Sequence, residues 1–235
     1  RQRSYQNVIA IRQNIKNWNW SVDVFHRISQ NQIENIINAS FSQKGNWENS
    51  IISGGVGRAY GVEFYVSKKI NDFNVSASYN LSKSERKFET LNRGQWYPYT
   101  YDRRHDVSLL LSYKINKKWD VSMTWAYGSG RPFTKSDLIY PSLGLVDYYK
   151  DKSEESNFLN SSNQQIQYFE QRNNKKLRAY HHLDIGANYK WQKGKWKQSV
   201  NLSLYNVYNH KNVFTLFDKT SGVGENMRFK YQSLT

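Results

Sequence analysis

Apolar residues recur at every second position through most of this chain. Phe73, Val75, Ala77, Tyr79 and Leu81 alternate with Asn74, Ser76, Ser78 and Asn80. Val107, Leu109, Leu111 and Tyr113 alternate with Asp106, Ser108 and Ser112, with Leu110 the exception. The same rhythm sets Val121, Met123, Trp125 and Tyr127 against Asp120, Ser122, Thr124 and Ala126. It also sets Leu183, Ile185, Ala187, Tyr189 and Trp191 against Asp184, Gly186, Asn188 and Lys190. Noisier runs cover residues 20–28, 60–66 and 200–204. Side chains on a strand point alternately to its two faces, so strict alternation means that one face meets an apolar medium and the other meets water. No segment holds a helical period, and the pattern predicts an all-β chain.

Connection lengths sharpen this. Four junctions are tight: Ile15-Lys16-Asn17, Ile70-Asn71-Asp72, Ile115-Asn116-Lys117-Lys118 and Gln192-Lys193-Gly194-Lys195. Between them lie long polar stretches at about 29–57, 82–102, 130–178 and 210–226. Short turns at one end and long loops at the other describe an antiparallel up-and-down transmembrane β-barrel better than a soluble sandwich. Tryptophan is sorted the same way, because Trp18, Trp20, Trp119, Trp191 and Trp196 all lie beside the short turns. An indole is amphipathic and settles at headgroup level, so these five are read as a membrane girdle. Tyr60, Tyr101, Tyr127, Tyr180 and Tyr208, at the opposite strand ends, are the expected second girdle. The water-facing positions are Ser, Asn, Thr and Gly, with one acid on most strands: Asp23, Glu63, Asp106, Asp120 and Asp184. That is the character of a lumen lining.

Composition fits this picture. Only 38% of the 235 residues are hydrophobic, yet 16% are aromatic, which argues against disorder. A chain of this length is expected to form one domain and can bury a core. It holds no run of about 20 apolar residues, so a helical span is excluded while a barrel is not. Cysteine is absent, which removes disulfides and thiolate metal sites. The chain starts abruptly at Arg1 without a signal peptide and is read as a piece of a longer protein. The net charge of +15 raises nucleic-acid binding, but Lys68, Lys69, Lys117, Lys118, Lys193, Lys195 and Lys197 border the short turns beside the tryptophans, where headgroups are the expected partner. Lys175, Lys176 and Arg178 close the longest loop, where anionic lipopolysaccharide is the expected neighbour.

Certain segments carry a resemblance. YGVEFYVSKK (60–69) is followed by ASYNLSKSERKF (77–88), LNRG (91–94), YDRRHD (101–106), GSGRPFT (128–134), YHHLDIG (180–186) and SLYNVYN (203–209). In this order, and over nearly the whole chain, the set resembles the late barrel strands of TonB-dependent receptors. The resemblance implies a barrel of ~22 strands, of which residues 1–235 would supply about eight or nine as its C-terminal portion. It also implies an N-terminal plug domain and a segment that binds TonB, neither visible here, with the last strand, from Met227, looking incomplete. The location implied is the outer membrane, with short turns periplasmic and long loops extracellular. The partners implied are membrane lipid and lipopolysaccharide, the plug and remaining strands, TonB, and surface lipoproteins or other outer-membrane subunits.

No enzyme chemistry and no cofactor is expected. His181 and His182 are adjacent on a strand, point to opposite faces and cannot chelate one metal together. Gly54-Gly-Val-Gly57 and Gly222-Val-Gly224 match no phosphate loop and are read as loop tips. The dense cluster Asp102-Arg103-Arg104-His105-Asp106 is read as an ion-paired strand start or, alternatively, a contact to ligand or plug. Trp96, Tyr97, Tyr99 and Tyr101, with Arg103 and Arg104, are the candidate ligand contacts, since aromatic faces beside polar groups suit sugars and peptides. The expected function is import of a nutrient, an oligosaccharide, peptide or metal chelate, as part of a receptor. The rival reading is a receptor-like barrel that serves as a docking subunit of an envelope complex. A complete small barrel of about eight strands is a third reading.

Overall fold

The computed structural model of the chain describes residues 1–35, 51–136, 138–141, 165–219 and 228–234. Its strands are β1 (Arg3–Ile15), β2 (Trp18–Asn35), β3 (Ile51–Ile70), β4 (Phe73–Lys87), β5 (Tyr97–Pro98), β6 (His105–Lys114), β7 (Trp119–Gly128) and β8 (Pro132–Phe133). They continue with β9 (Leu138–Pro141), β10 (Gln165–Tyr168), β11 (Lys175–Lys176), β12 (Tyr180–Lys193), β13 (Trp196–Leu204), β14 (Asn212–Lys219) and β15 (Arg228–Leu234). The eight long strands form one antiparallel meander in the order β1-β2-β3-β4-β6-β7-β12-β13, with β5 added to the edge of β4. Small ladders pair β8 with β11, β9 with β10 and β14 with β15.

The tight turns form where the sequence offers residues that accept a left-handed backbone. Lys16 and Asn17 have φ of 47° and 69°, the two positive angles of the hairpin turn that matches strand twist. Asn116 closes the β6–β7 turn with its side chain, Oδ1 accepting the N–H of Lys118 at 2.8 Å and of Trp119 at 3.0 Å. All four short turns lie at one end of the sheet.

Register puts the alternating residues into one face. Cross-strand partners share a face, and one ladder line runs Ile15, Trp18, Lys68, Val75, Leu111, Met123, Ile185 and Leu204. A parallel line joins Gln13, Trp20, Val66, Ala77, Leu109, Trp125 and Leu183. The first line starts at the short turn of β1 and ends at Leu204, the far end of β13, whose own short turn is at Trp196. This climb of about 26 Å across about 30 Å of sheet is a strand tilt of about 40°, the value of membrane barrels. The opposite face carries Asp23, Glu63, Asn80 and Asp106 in a single row, with Asp120 and Asp184 on the same side.

Among the described residues the main sheet is a single layer, without the packed interior that the chain length allows. Among the described residues the buried apolar side chains are Phe88 and Tyr97, 2% and 1% exposed, both at the loop end. Ile9, Leu202 and Trp196 on the apolar face are 76%, 68% and 76% exposed. Also among the described residues, β1 pairs with β2 alone and β13 with β12 alone, so the sheet stays open and the eight-stranded closed barrel does not form.

Two expectations need correction. Gly54, Gly55 and Gly57 are not a loop tip but part of β3, because β2 and β3 continue past the alternating window through register shifts near Gln32 and Glu34. Gly55 admits the ring of Phe88, which an added Cβ would strike. Tyr180 pairs with Gly128 and lies on the polar face, while Tyr60 and Tyr127 lie on the apolar one. Gly222 and Gly224 fall outside the described residues.

Candidate functional site at the loop end

Beyond Leu81, β4 loses its partner β6, and the chain itself fills the gap. Residues 97–102 fold back along β4 as a strap: Glu85 pairs with Pro98 and Arg86 with Tyr97. Tyr99 N–H donates to Ser84 O at 2.9 Å, and Ser84 N–H donates to Asp102 Oδ1 at 2.6 Å. Arg104 follows, its Nη1 donating to Ser82 O at 3.4 Å. Asp102 is buried, and that burial pushes its carboxyl above the ordinary range against the pull of the Ser84 N–H and of Lys176 and Arg104.

A second layer ties the strap to the β7–β12 connection. Glu34, at the end of β2, accepts from Arg86 Nη1 at 3.1 Å, Arg172 Nη2 at 3.3 Å and the Tyr97 hydroxyl at 3.4 Å. Arg172 also donates to Asn35 O at 2.8 Å, and its backbone N–H donates to Asn92 Oδ1 at 2.9 Å. Neighbouring Asn173 donates from Nδ2 to Pro98 O at 2.6 Å and to Thr100 Oγ1 at 3.2 Å. Burial beside the Glu34 charge pushes the Tyr97 hydroxyl upward, so it stays a donor. A nearly buried carboxylate shared by two guanidinia and a phenol depends on all of its partners. This clamp therefore holds two loops and two strands as one body.

The candidate ligand contacts divide around the clamp. Tyr97 is its buried centre, so its ring is covered. Trp96 is half-buried under Arg58, whose guanidinium sits 4.2 Å from the ring, and Tyr99 lies 3.7 Å from that of Arg86. Tyr101 is the most open, 65% exposed, edge-on to Tyr99 at 5.3 Å and 5.6 Å from the Arg131 guanidinium. Arg103 turns away, reaching Asp106 at 3.4 Å and the Tyr180 ring at 5.2 Å. The dense charged cluster is thus a strap anchor and one exposed ion pair. Between strap and clamp a cavity of about 470 Å³ is lined by Gln95, Trp96, Arg172, Asn174, Lys175 and Lys176, among others. Glu34, Arg86, Arg172 and Asn173 went unnoticed in the sequence, where they are ordinary polar residues in polar stretches.

At the short-turn end, Trp18, Trp20, Trp119, Trp191 and Trp196 share the apolar face: Trp18 pairs with Ile15, Trp20 with Val66, Trp119 with Tyr189, Trp191 with Gln198 and Trp196 with Lys193. Lys68 Nζ stands 4.3 Å over the Trp18 ring. His181 and His182 point to opposite faces. His181 meets the Tyr208 hydroxyl at 2.8 Å and stacks on His210 at 3.6 Å, while His182 pairs with Asp184 at 3.2 Å. Among the described residues no group of histidines and carboxylates is arranged to hold a metal.

The model of the family described as "TonB dependent receptor-like, beta-barrel" matches residues 2–209. The chain belongs to that family. TonB-dependent receptor barrels lie in the outer membrane and span it with their strands. Three solved structures share the fold. The ferric-catecholate import receptor Fiu of E. coli K12 is 14% identical with a TM-score of 0.53, over 90% of this chain and 24% of that one. The FrpB iron transporter of Neisseria meningitidis is 15% identical with a TM-score of 0.54, over 89% and 26%. The copper transporter OprC is 9% identical with a TM-score of 0.55, over 89% and 25%. This chain spans about a quarter of the length of these receptors. No curated protein matches it in sequence. Members of the family are receptors and transporters rather than enzymes.

Proposed function

We propose that residues 1–235 are the C-terminal part of a barrel of ~22 strands that imports a nutrient ligand, with the rest of the wall and a plug supplied by other parts of the same protein. The observation that carries this is the clamp. Glu34, Arg86, Arg172 and Tyr97 fasten two long loops to the strands, giving the loop end a fixed shape in place of two independent flaps. Tyr101, Tyr99 and Arg131 lie on that body, aromatic faces beside guanidinia, a surface for an oligosaccharide, peptide or metal chelate. Short turns are assigned to the periplasm and loops to the exterior, with the five tryptophans as the inner girdle. The polar face looks onto the plug, and energy comes from TonB through a segment outside these residues.

The test is uptake in cells carrying the full receptor, offered a labelled oligosaccharide, a peptide or an iron chelate. Import of one class that stops with a protonophore and drops about tenfold in Tyr101→Ala, at unchanged surface level, is the expected result. Energised import that Tyr101→Ala leaves untouched removes the loop surface from the reading. No uptake of any class, with stoichiometric lipoprotein or other barrels bound through the loops, establishes the rival docking role.

A further inference from the structure

The guanidinium of Arg172 is only half used. Its Nη2 donates to Glu34 and to Asn35 O, whereas Nη1 is buried and meets no acceptor among the described residues. The side chain is 9% exposed and is held in place, its Nη2 by the clamp and its backbone N–H by Asn92. A buried cationic donor without an acceptor costs stability. Arg172 also lines the cavity of about 470 Å³ between strap and clamp, so an occupant of that cavity can supply the acceptor.

The lining sets the chemistry of such an occupant. Among the described residues that line it are two further cations, Lys175 and Lys176, and no carboxylate. Both lysines are exposed, so an anion gains their charge without burying it. One buried N–H beside two solvated ammonium groups matches a monoanionic carboxylate better than a phosphate dianion, which asks for several strong donors. Half-buried Trp96 adds a ring for the C–H face of a sugar, and the exposed amides of Gln95 and Gln171 suit its hydroxyls. The approach is from solution. Arg86 shares the polar face with Asn80 and Ser82, and Tyr97 is its cross-strand partner. The ring over which the Arg172 guanidinium sits, at 5.7 Å, therefore stands on the polar side of the wall, away from the bilayer.

We propose that this cavity binds a carboxylated sugar, the uronic-acid residue of an oligosaccharide, with its carboxylate on Arg172 Nη1 near Lys175 and Lys176 and its ring on Trp96. This names the ligand class of the import reading and rests on that reading for the ligand's passage.

Titration calorimetry of the full receptor in detergent, with trigalacturonate and with galactotriose as its neutral counterpart, tests it. Trigalacturonate binds about tenfold tighter, and added salt narrows the gap. Lys175→Gln/Lys176→Gln cuts the preference to about threefold, whereas Trp96→Ala weakens both probes alike. Neither variant removes a hydrogen bond of the clamp, so the loops stay closed. Lys193→Gln, at the short-turn end, leaves binding unchanged. Cryo-EM of the complex places a carboxylate against Arg172 Nη1. Equal affinity for the two probes, competition by inorganic sulfate at the same concentration, or a sugar lodged away from Arg172 overturns the proposal. Uptake by cells separates it from the import reading. Energised import of a neutral sugar or a peptide, with no binding of trigalacturonate, overturns the cavity assignment alone. Binding of trigalacturonate at Arg172 without energised uptake upholds the cavity and overturns import.

Discussion

At the short-turn end of the sheet each closure is local: Asn116 reaches Lys118 and Trp119, two and three residues on, and Lys16 and Asn17 need only their own backbone angles. At the loop end Glu34 meets Arg172 across 138 positions and Asn173 meets Pro98 across 75. Local closure costs little chain entropy and fails piecemeal, whereas distant closure orders long segments and fails as a unit. The difference teaches where a single substitution spreads. A lesion in a short turn stays in its hairpin, and a lesion in the clamp releases two loops.

The sharpest way to break this contrast is Arg172→Ala. It leaves the nearly buried Glu34 with Arg86 and the Tyr97 hydroxyl only and removes the bond to Asn35 O. A cost of about 3–5 kcal/mol is expected, read as loss of amide exchange protection at 92–102 and 171–176 with the short turns unaffected. Protection that persists in those loops defeats the idea of a shared clamp. Gly130→Ala comes next, since an added Cβ overlaps the carbonyl of Leu177 and forces β8 away from β11. About 1–3 kcal/mol is expected, and an unchanged unfolding midpoint in denaturant would show that this approach is not held. At the other end, Asn116→Ala should cost only about 1 kcal/mol, with exchange rising in the β6–β7 turn alone. Spread beyond that hairpin would erase the contrast between the ends.

The smallest effect is that of pH on the strap. Burial holds the folded pKa of Asp102 above its unfolded value, so the folded strap keeps its proton where the unfolded chain has lost it. Its contribution is greatest below the ordinary carboxylate range and declines as pH rises through the raised folded value. Exchange at 97–102, corrected for intrinsic rates, should accelerate over that window, and Asp102→Asn should flatten the dependence. A steeper dependence in the variant would reverse the assignment.

What the sequence made legible was whatever the membrane dictates. Phe73 to Leu81 and Leu183 to Trp191 had to alternate because two media meet on either side of a single layer, and that period delivered strands, faces and tryptophan edge together. Past the apolar band no such demand exists. There β2 and β3 run on through Gln32, Glu34 and Gly55 without alternation, and their glycines read as a loop. Tyr97 and Tyr101 illustrate the same limit in the site. Both belong to one aromatic run, yet one is the buried pivot of the clamp, held by Glu34 and covered by Arg172 from far along the chain, and the other faces solvent.

The acids of the polar face also bear on how the wall is assembled. Asp23, Glu63 and Asp184 stand within the paired spans of β2, β3 and β12. A slip of one residue between neighbouring strands would turn such a carboxylate into the hydrocarbon, at about 2 kcal/mol for each one at depth. β2, β3 and β12 thus each carry an alignment mark. During insertion these charges act as proofreading devices: mispaired hairpins remain uphill until they shift, and fidelity of pairing is written into the carboxylates of the polar face.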